Sequence, residues 1–389
     1  MDIKKLGEIC DIVSGGTPSR TNTEFWNGGI IPWIKIGNIK GKYVSKADEY
    51  ITQAGIEGSS AKMLSKGTIL YTIFATLGEV GILNIDACTN QAIAGITIKN
   101  QNEVLTDYLY YYLKSKKSYV NNLGRGVAQN NINLSILRNF EVPLPALSIQ
   151  RQIVAVLDKT VEVIEGRQQQ LQKLDDLVKA RFVELFGDMF FNSKTWDEAP
   201  LESVADIVSG ITKGRKIVGK RLMKVPYMAV SNVKEGFIDW TTVKTIEATE
   251  QEISQYRLLP DDVLMTEGGD PDKLGRGAII KAPLENCIHQ NHIFRVRLDE
   301  THILPVYFSE YLQHQRAKRY FLGCAKQTTG IASINMKQLK ALPVLIPPLD
   351  RQAQFAAFVA QADKSKAVIQ KALDEAQLLF DSLMQKYFE

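Results

Sequence analysis

The sequence predicts an α+β chain built as a tandem repeat. It has two similar globular units, each followed by a long amphipathic helix, and the two helices are expected to pair as a coiled coil, which if antiparallel gives a pseudo-two-fold arrangement. Three observations predict this. The pentapeptide Asp-Ile-Val-Ser-Gly occurs twice, at Asp11–Gly15 and Asp206–Gly210. Further anchors follow each copy in the same order at a nearly constant offset. Each copy then ends in a proline-rich turn, followed by a proline-free stretch with apolar residues at three- to four-residue spacing.

The anchors justify the repeat. Ile31-Pro32-Trp33 with Asn38-Ile39-Lys40 matches Val225-Pro226-Tyr227 with Asn232-Val233-Lys234. Gly67–Leu70 matches Asp261–Leu264, and Cys88 and Gln91 match Cys287 and Gln290. Tyr108 and Leu113 match Tyr307 and Leu312, and Ile132-Asn133 matches Ile334-Asn335. Within each copy, β-branched segments such as Thr68–Ile73, Ile93–Ile98, Val263–Thr266 and His292–Leu298 read as strands. Leu105–Leu113 and Ile303–Gln315 read as short helices. Strands and helices do not alternate in a βαβ rhythm, which favours α+β.

The proline-rich turns, Leu144–Gln150 and Ile346–Gln352, place Ser148 and Asp350 as expected N-caps of the long helices. In the first helix Leu157, Ile164, Leu171, Val178 and Leu185 recur every seven residues, interleaved with Ile153, Thr160, Arg167, Leu174 and Arg181. The second carries Phe355, Val359, Ala362, Lys366, Ile369, Leu373, Ala376, Phe380, Leu383 and Tyr387. This is an a/d seam, and Leu157, Ile164, Leu171, Leu174, Val178, Ile369, Leu373, Phe380 and Leu383 are the expected packing residues. Two helices lying on separate domain surfaces also fit the pattern. The boundaries follow as 1–148 for the first globular domain, 149–195 for a central helical spacer, 196–349 for the second domain and 350–389 for a C-terminal helical spacer.

Composition narrows the class. At 45% hydrophobic and 23% charged residues, the 389-residue chain reads as a globular protein. Its apolar runs fall short of the roughly 20 residues that cross a bilayer, and Met1–Lys5 is not an apolar leader. A cytoplasmic location with no membrane partner is expected. Cys10, Cys88, Cys287 and Cys324 form no CxxC pair. No GxxxxGK[ST] loop is present, and Pro347-Pro348 lacks the preceding Asn or Asp and the following aromatic of an amino-methylating enzyme. Cys287, His289 and His292 lack a fourth ligand at metal-site spacing, so no metal site is expected. The carboxylate pairs Asp175-Asp176 and Asp261-Asp262 read as solvated surface, and no catalytic set can be named.

Nucleic acid is the partner that the charge distribution favours. Lys213, Arg215, Lys216, Lys220, Arg221 and Lys224 fall in one acid-free loop, a composition suited to a phosphate backbone. The first copy's loop, with Thr17, Ser19, Arg20 and Asn22, is more polar than basic. Arg295 and Arg297 share one strand face, and Arg316, Lys318 and Arg319 lie near a helix end. Asn90-Gln91 and Gln290-Asn291 occupy matching positions, as do the turns around Gln129-Asn130-Asn131 and Gln327-Thr328-Thr329. Such amides can read adenine edges. Taken singly, a solvated face accounts for each cluster and loop bracing for each amide. The candidate DNA contacts are Thr17, Ser19, Arg20, Lys35, Asn90, Gln91, Arg125, Gln129 and Asn130 in the first copy. In the second they are Lys213, Arg215, Lys216, Lys220, Arg221, Arg276, Gln290, Asn291, Lys326 and Gln327.

The order Asp11–Arg20 (DIVSGGTPSR), Ile31–Ile34 (IPWI), Asn90-Gln91, Gly126–Asn133 (GVAQNNIN) and Pro143–Ile153 (PLPALSIQRQI), repeated with Gln327–Asn335 (QTTGIASIN) and Ile346–Leu349 (IPPL), resembles the specificity subunit of type I restriction–modification systems. The resemblance spans essentially the whole chain. It implies two target-recognition domains that each read half of a split DNA sequence, and helical regions that dock two methylation subunits. Restriction subunits join through those. It places S-adenosylmethionine, ATP and magnesium on the partner chains and no cofactor on this one. The basic loop Lys213–Lys224 departs from the Thr-Pro-Ser-Arg of the first copy, which implies that the two loops touch DNA differently. A duplicated adaptor that recruits partners without DNA is the alternative, separated by salt-dependent DNA binding.

Overall fold

The structure, a computed structural model, describes residues 2–124, 131–215, 221–270, 274–328 and 331–388. Its contacts divide into two units, Met1–Gln168 with Lys371–Glu389, and Gln169–Gln370.

In the first unit a five-stranded sheet runs in the order Cys10–Ser14, Ile93–Ile98, Ile69–Thr72, Val80–Leu83, Tyr43–Val44. A smaller sheet holds Ile31–Ile34 between antiparallel Glu49–Ile51 and parallel Cys88–Thr89. Asp2–Lys5 pairs with Glu141–Leu144 just ahead of the long helix. The second unit repeats the first four strands of this order. Ala205–Ser209, Ile293–Leu298, Val263–Thr266 and Gly277–Ile279 form the large sheet, and Met223–Met228 lies between Lys244–Ala248 and Ile288–His289. Asp197–Pro200 pairs with Pro343–Ile346. The second unit also holds a small sheet of Gly268–Gly269, Ile331–Ser333 and Lys326–Thr328, and among the described residues of the first unit Phe74 bridges Asn131 at the matching place. Gln327 and Thr328 therefore lie in a strand, where a turn was expected.

Strand pairing corrects one anchor. Trp33 pairs with Cys88, and its counterpart Tyr227 pairs with Ile288. Cys88 thus corresponds to Ile288 rather than Cys287, and Gln91 to Asn291 rather than Gln290. A shared cysteine had drawn the alignment one residue off, enough to send alternate side chains to the wrong face.

The identical pentapeptides have a steric origin. A Cβ on Gly15 would lie 2.3 Å from the Asn90 carbonyl oxygen, and one on Gly210 2.0 Å from that of His289. Only glycine lets the strand pass beneath the turn that joins the two sheets. Other anchors are braces. Gln150 and Gln352 are fully buried. Gln150 accepts from Leu105 N at 3.0 Å and donates to the Glu103 and Pro145 carbonyls, and Gln352 accepts from Leu304 N at 2.7 Å and donates to those of His302 and Pro347. Tyr108 and Tyr307 donate to the carbonyls of Pro143 and Leu345, tying the short helices Thr106–Ser115 and Pro305–Gln313 to the strand before each long helix. Asn133 and Asn335 each cap a short helix.

The long helices are Leu147–Phe186 and Leu349–Phe388, 40 residues each, or about 60 Å at 1.5 Å per residue. Both begin one residue before the expected caps, so Ser148 and Asp350 lie inside the first turn. Ala146 and Pro348 supply the carbonyls that accept its first bonds. In the first unit Ile153, Leu157 and Ile164 share a core with Tyr108, Tyr111, Phe380, Met384 and Phe388. In the second, Val178, Phe182 and Phe186 share one with Tyr307, Phe355 and Ala362. Phe182 and Phe186 lie 5.3 and 5.7 Å from Phe355, Arg181 lies 5.8 Å over Phe358, and Asp175 pairs with Lys366 at 2.5 Å. Leu171, Leu174, Ile369, Leu373 and Leu383 are half-buried. Among the described residues no helix is long and apolar enough to cross a membrane.

Candidate nucleic-acid interface

In each unit the strand that ends in the repeated pentapeptide is fastened to the turn between the sheets. Gly16 N donates to the Thr89 carbonyl at 2.8 Å, and Ile211 N to that of His289 at 2.8 Å. This fastening gathers residues distant in sequence at one corner. In the first unit the corner holds Thr17, Ser19, Arg20, Lys35, Asn90 and Gln91. Thr17 donates to Gln91 Oε1, and Asn90 Oδ1 accepts from Ala92 N at 3.2 Å and so braces its own turn.

Arg20 is the most organised member. Its guanidinium lies 3.7 Å from the centre of the Trp26 ring and pairs with Glu49 at 2.5 Å. Lys35 pairs with the same carboxylate. Trp26 is oriented in turn by its Nε1–H, which donates to the Ser19 carbonyl at 3.0 Å. The Lys35 hydrogen bond, followed by that of Arg20, holds the Glu49 carboxyl below its ordinary range. The Arg20 side chain remains 53% exposed, so a stacked, oriented guanidinium faces solvent beside amides and a lysine.

Counted from the matched Gly15 and Gly210, Arg215 is the counterpart of Arg20 and Thr212 of Thr17, so the second loop keeps an arginine at this place. Its surroundings differ. Arg215 Nε and Nη2 donate to both oxygens of Glu252 at 2.5 and 2.8 Å, and Nη2 also donates to the Glu247 carbonyl. Its side chain is only 19% exposed. The Arg215 hydrogen bond takes the Glu252 carboxyl down to about 2. Glu252 also closes the capping box of helix Glu250–Tyr256 with Thr249. Arg215 is therefore an internal brace.

The other candidates divide three ways. Lys213, Arg221 and Lys326 are exposed, and Arg276 is half-buried just ahead of strand Gly277–Ile279. Gln290 Oε1 accepts from Val230 N at 3.4 Å, and Asn291 Nδ2 lies 3.3 Å from His292 Nε2. Arg125, Gln129, Asn130, Lys216, Lys220 and the Gln327 side chain lie outside the described residues.

Several basic residues of the clusters that favoured a nucleic-acid partner are paired within the fold. Arg295 is buried against Asp206, Arg297 forms a two-pronged pair with Asp262, Arg316 pairs with Glu198 and Lys318 with Glu235. Asp262 is consequently 1% exposed and belongs to no solvated pair. The Cys287–His292 cluster also resolves into separate roles. Burial pushes the Cys287 thiol up to about 12 and lowers His289 to about 4, with its ring nitrogens beside the carbonyls of Val208 and Tyr256. His292 instead meets Glu267 at 2.5 Å. Trp26, Glu49, Glu252 and Glu267 are corner residues that the sequence reading missed. Only Trp26 left a signal there, as an aromatic beside a polar loop.

The sequence pattern described as the Type I restriction modification DNA specificity domain matches residues 1–175 and 193–377. The type I restriction enzyme MjaIX specificity subunit of Methanocaldococcus jannaschii is 25% identical, over 99% of this chain and 92% of its own length. The EcoKI specificity subunit of Escherichia coli K12 is 23% identical, over 99% and 88% respectively. Among solved structures, the type I restriction-modification S subunit from M. genitalium superposes with a TM-score of 0.57 at 17% identity, over 100% of this chain and 96% of that one. A chain from a type I system, solved in work on its complex assembly and conformational transition, superposes with a TM-score of 0.60 at 17% identity, over 100% and 97%. These two likenesses bear on the fold.

Proposed function

The chain belongs to the type I restriction modification DNA specificity family, and on that premise we propose that it reads a split, asymmetric DNA target for a type I restriction–modification complex, one half-site per unit. The observation that carries the proposal is a doubled frame with unlike corners. The same strands and turns present Arg20, Asn90 and Gln91 in one unit and Lys213, Gln290 and Asn291 in the other. Like frames favour like docking on DNA, and unlike side chains favour unlike base sequences.

Residues 1–148 and 196–349 are the target-recognition domains of this reading, and 149–195 and 350–389 are its helical spacers. The helices form one antiparallel coiled coil. The contacts of Phe186 with Phe355, Arg181 with Phe358 and Asp175 with Lys366 support this, because the partner number rises as the first falls. A helix of about 60 Å exceeds one DNA turn of about 35 Å, so helix length sets the unread spacer. The chain itself catalyses nothing. Methylation subunits, two per chain, bind S-adenosylmethionine, and restriction subunits that join through them use ATP and magnesium.

Two experiments test this reading. Binding of the complex to duplex DNA must weaken steeply with salt, as phosphate contacts require, whereas an adaptor shows no such binding. Deleting about seven residues, one heptad, from each long helix must change the spacer and leave both half-sites intact. Altered half-sites contradict the spacer role.

A further inference from the structure

One polar pair, His292 and Glu267, stands at the second unit's corner. His292 follows the Gln290-Asn291 turn and is exposed, its side chain 56% accessible. Its Nδ1 lies 2.5 Å from Glu267 Oε2. A carboxylate only accepts, so Nδ1 carries the proton, and the neutral form of the ring presents Nε2 as an acceptor. Asn291 Nδ2 stands 3.3 Å from that Nε2. Glu267 thus fixes both the tautomer and the direction of an exposed imidazole beside an amide.

The duplication shows that the fold does not require this pair. Glu267 N donates to the His292 carbonyl at 3.0 Å, and Ile334 N to that of Glu267 at 2.9 Å. In the first unit Ile73 N donates to the Ala92 carbonyl at 2.8 Å, and Ile132 N to that of Ile73 at 3.0 Å. The backbone bonds are the same, but the counterparts of Glu267 and His292 are Ile73, buried at 3% exposure, and Ala92. One unit fills these places with apolar side chains and the other with an oriented, solvent-facing hydrogen-bonding pair.

We propose that His292 is a base-reading residue of the second unit, that Glu267 is its positioning residue, and that Nε2 accepts from an exocyclic amino group, adenine N6 or cytosine N4, once the Asn291 amide that faces this nitrogen turns toward the same base edge. The major groove offers such donors on only these two bases. The inference rests on the reading of the chain as a DNA-recognition subunit.

The test measures binding of the full chain, in complex with its methylation subunits, to duplexes in which each base pair of the target is changed in turn. His292→Ala reduces discrimination about ten-fold at one A- or C-bearing position of one half-site, the size of a single base-edge contact, and leaves the other half-site's discrimination unchanged. Glu267→Gln gives a smaller loss at the same position. His292→Gln, which keeps an acceptor, restores part of it. An unchanged profile, or an equal loss on every duplex, overturns the role of His292. So does loss of all binding in His292→Ala, His292→Gln and Glu267→Gln alike, which marks a structural pair. A wild-type complex with no split target overturns the DNA-reading premise instead, so the two failures are distinguishable.

Discussion

Arg20 and Arg215 stand at the same step of the same frame, yet Arg20 is stacked on Trp26 with half its side chain in solvent while Arg215 is enclosed by Glu252 and Glu247. Their acids come from different places. Glu49 lies on the strand beside Ile31–Ile34, whereas Glu252 lies in the first turn of a short helix. Duplication preserved the backbone and the strand order but not the ion-pair partners. A corner can therefore hold an exposed, stacked arginine or an enclosed brace without disturbing the sheets beneath it.

Six variants test this difference, in order of decreasing expected effect. The largest effect belongs to the shared frame. Gly15→Ala and Gly210→Ala each force a Cβ into a backbone carbonyl, and each destabilises its unit by about 3 kcal/mol or more, measured by denaturant unfolding of the full chain. A tolerated alanine at either site breaks the claim of a common frame. Gln150→Ala and Gln352→Ala come next. Each strands a buried N–H and two buried carbonyls, costing about 2–3 kcal/mol, and the two costs should agree within about 1 kcal/mol if the braces are equivalent.

The arginines should then part company. Arg215→Ala costs about 1–2 kcal/mol of stability, whereas Arg20→Ala stays within about 0.5 kcal/mol. The Arg215 effect depends on pH with a definite sign. Pairing takes the Glu252 carboxyl from 4.5 down to about 2, so its contribution is complete above the ordinary carboxylate range and is lost as pH falls through that interval. The gap in melting temperature between wild type and Arg215→Ala must close on acidification. A gap that widens contradicts the pairing. The smallest effect is on binding. Arg20→Ala lowers the salt slope of DNA association by about 1 if the guanidinium meets a phosphate, and Arg215→Ala leaves the slope unchanged.

Much of this fold was legible in the sequence. Asp-Ile-Val-Ser-Gly marked the repeat because a backbone crossing admits only glycine, and the seven-residue spacing marked the long helices because a buried stripe enforces it. The strands Ile93–Ile98 and Val263–Thr266 carry the bounds that their β-branched runs indicated. Charge pairing was not legible. Arg295 and Arg297 read as a basic face, but their partners Asp206 and Asp262 lie 89 and 35 residues away, and no local pattern reports a contact at that separation. Arg215 was hidden as a brace for the same reason. Asn133 and Asn335 marked matched positions whose role as helix caps emerged only with the helices themselves. The helix seam was read through Leu171 and Leu174, which are half-buried, whereas Phe182 and Phe186, off the heptad spacing, fill the core of the second unit.

Under the proposed function each unit reads its own half of one DNA target. Mapping methylated bases across the genome of cells that express this chain with its methylation subunits tests it most directly. The account predicts a motif of two different short sequences separated by an unread spacer of fixed length. A single uninterrupted motif, or two identical halves, would contradict it.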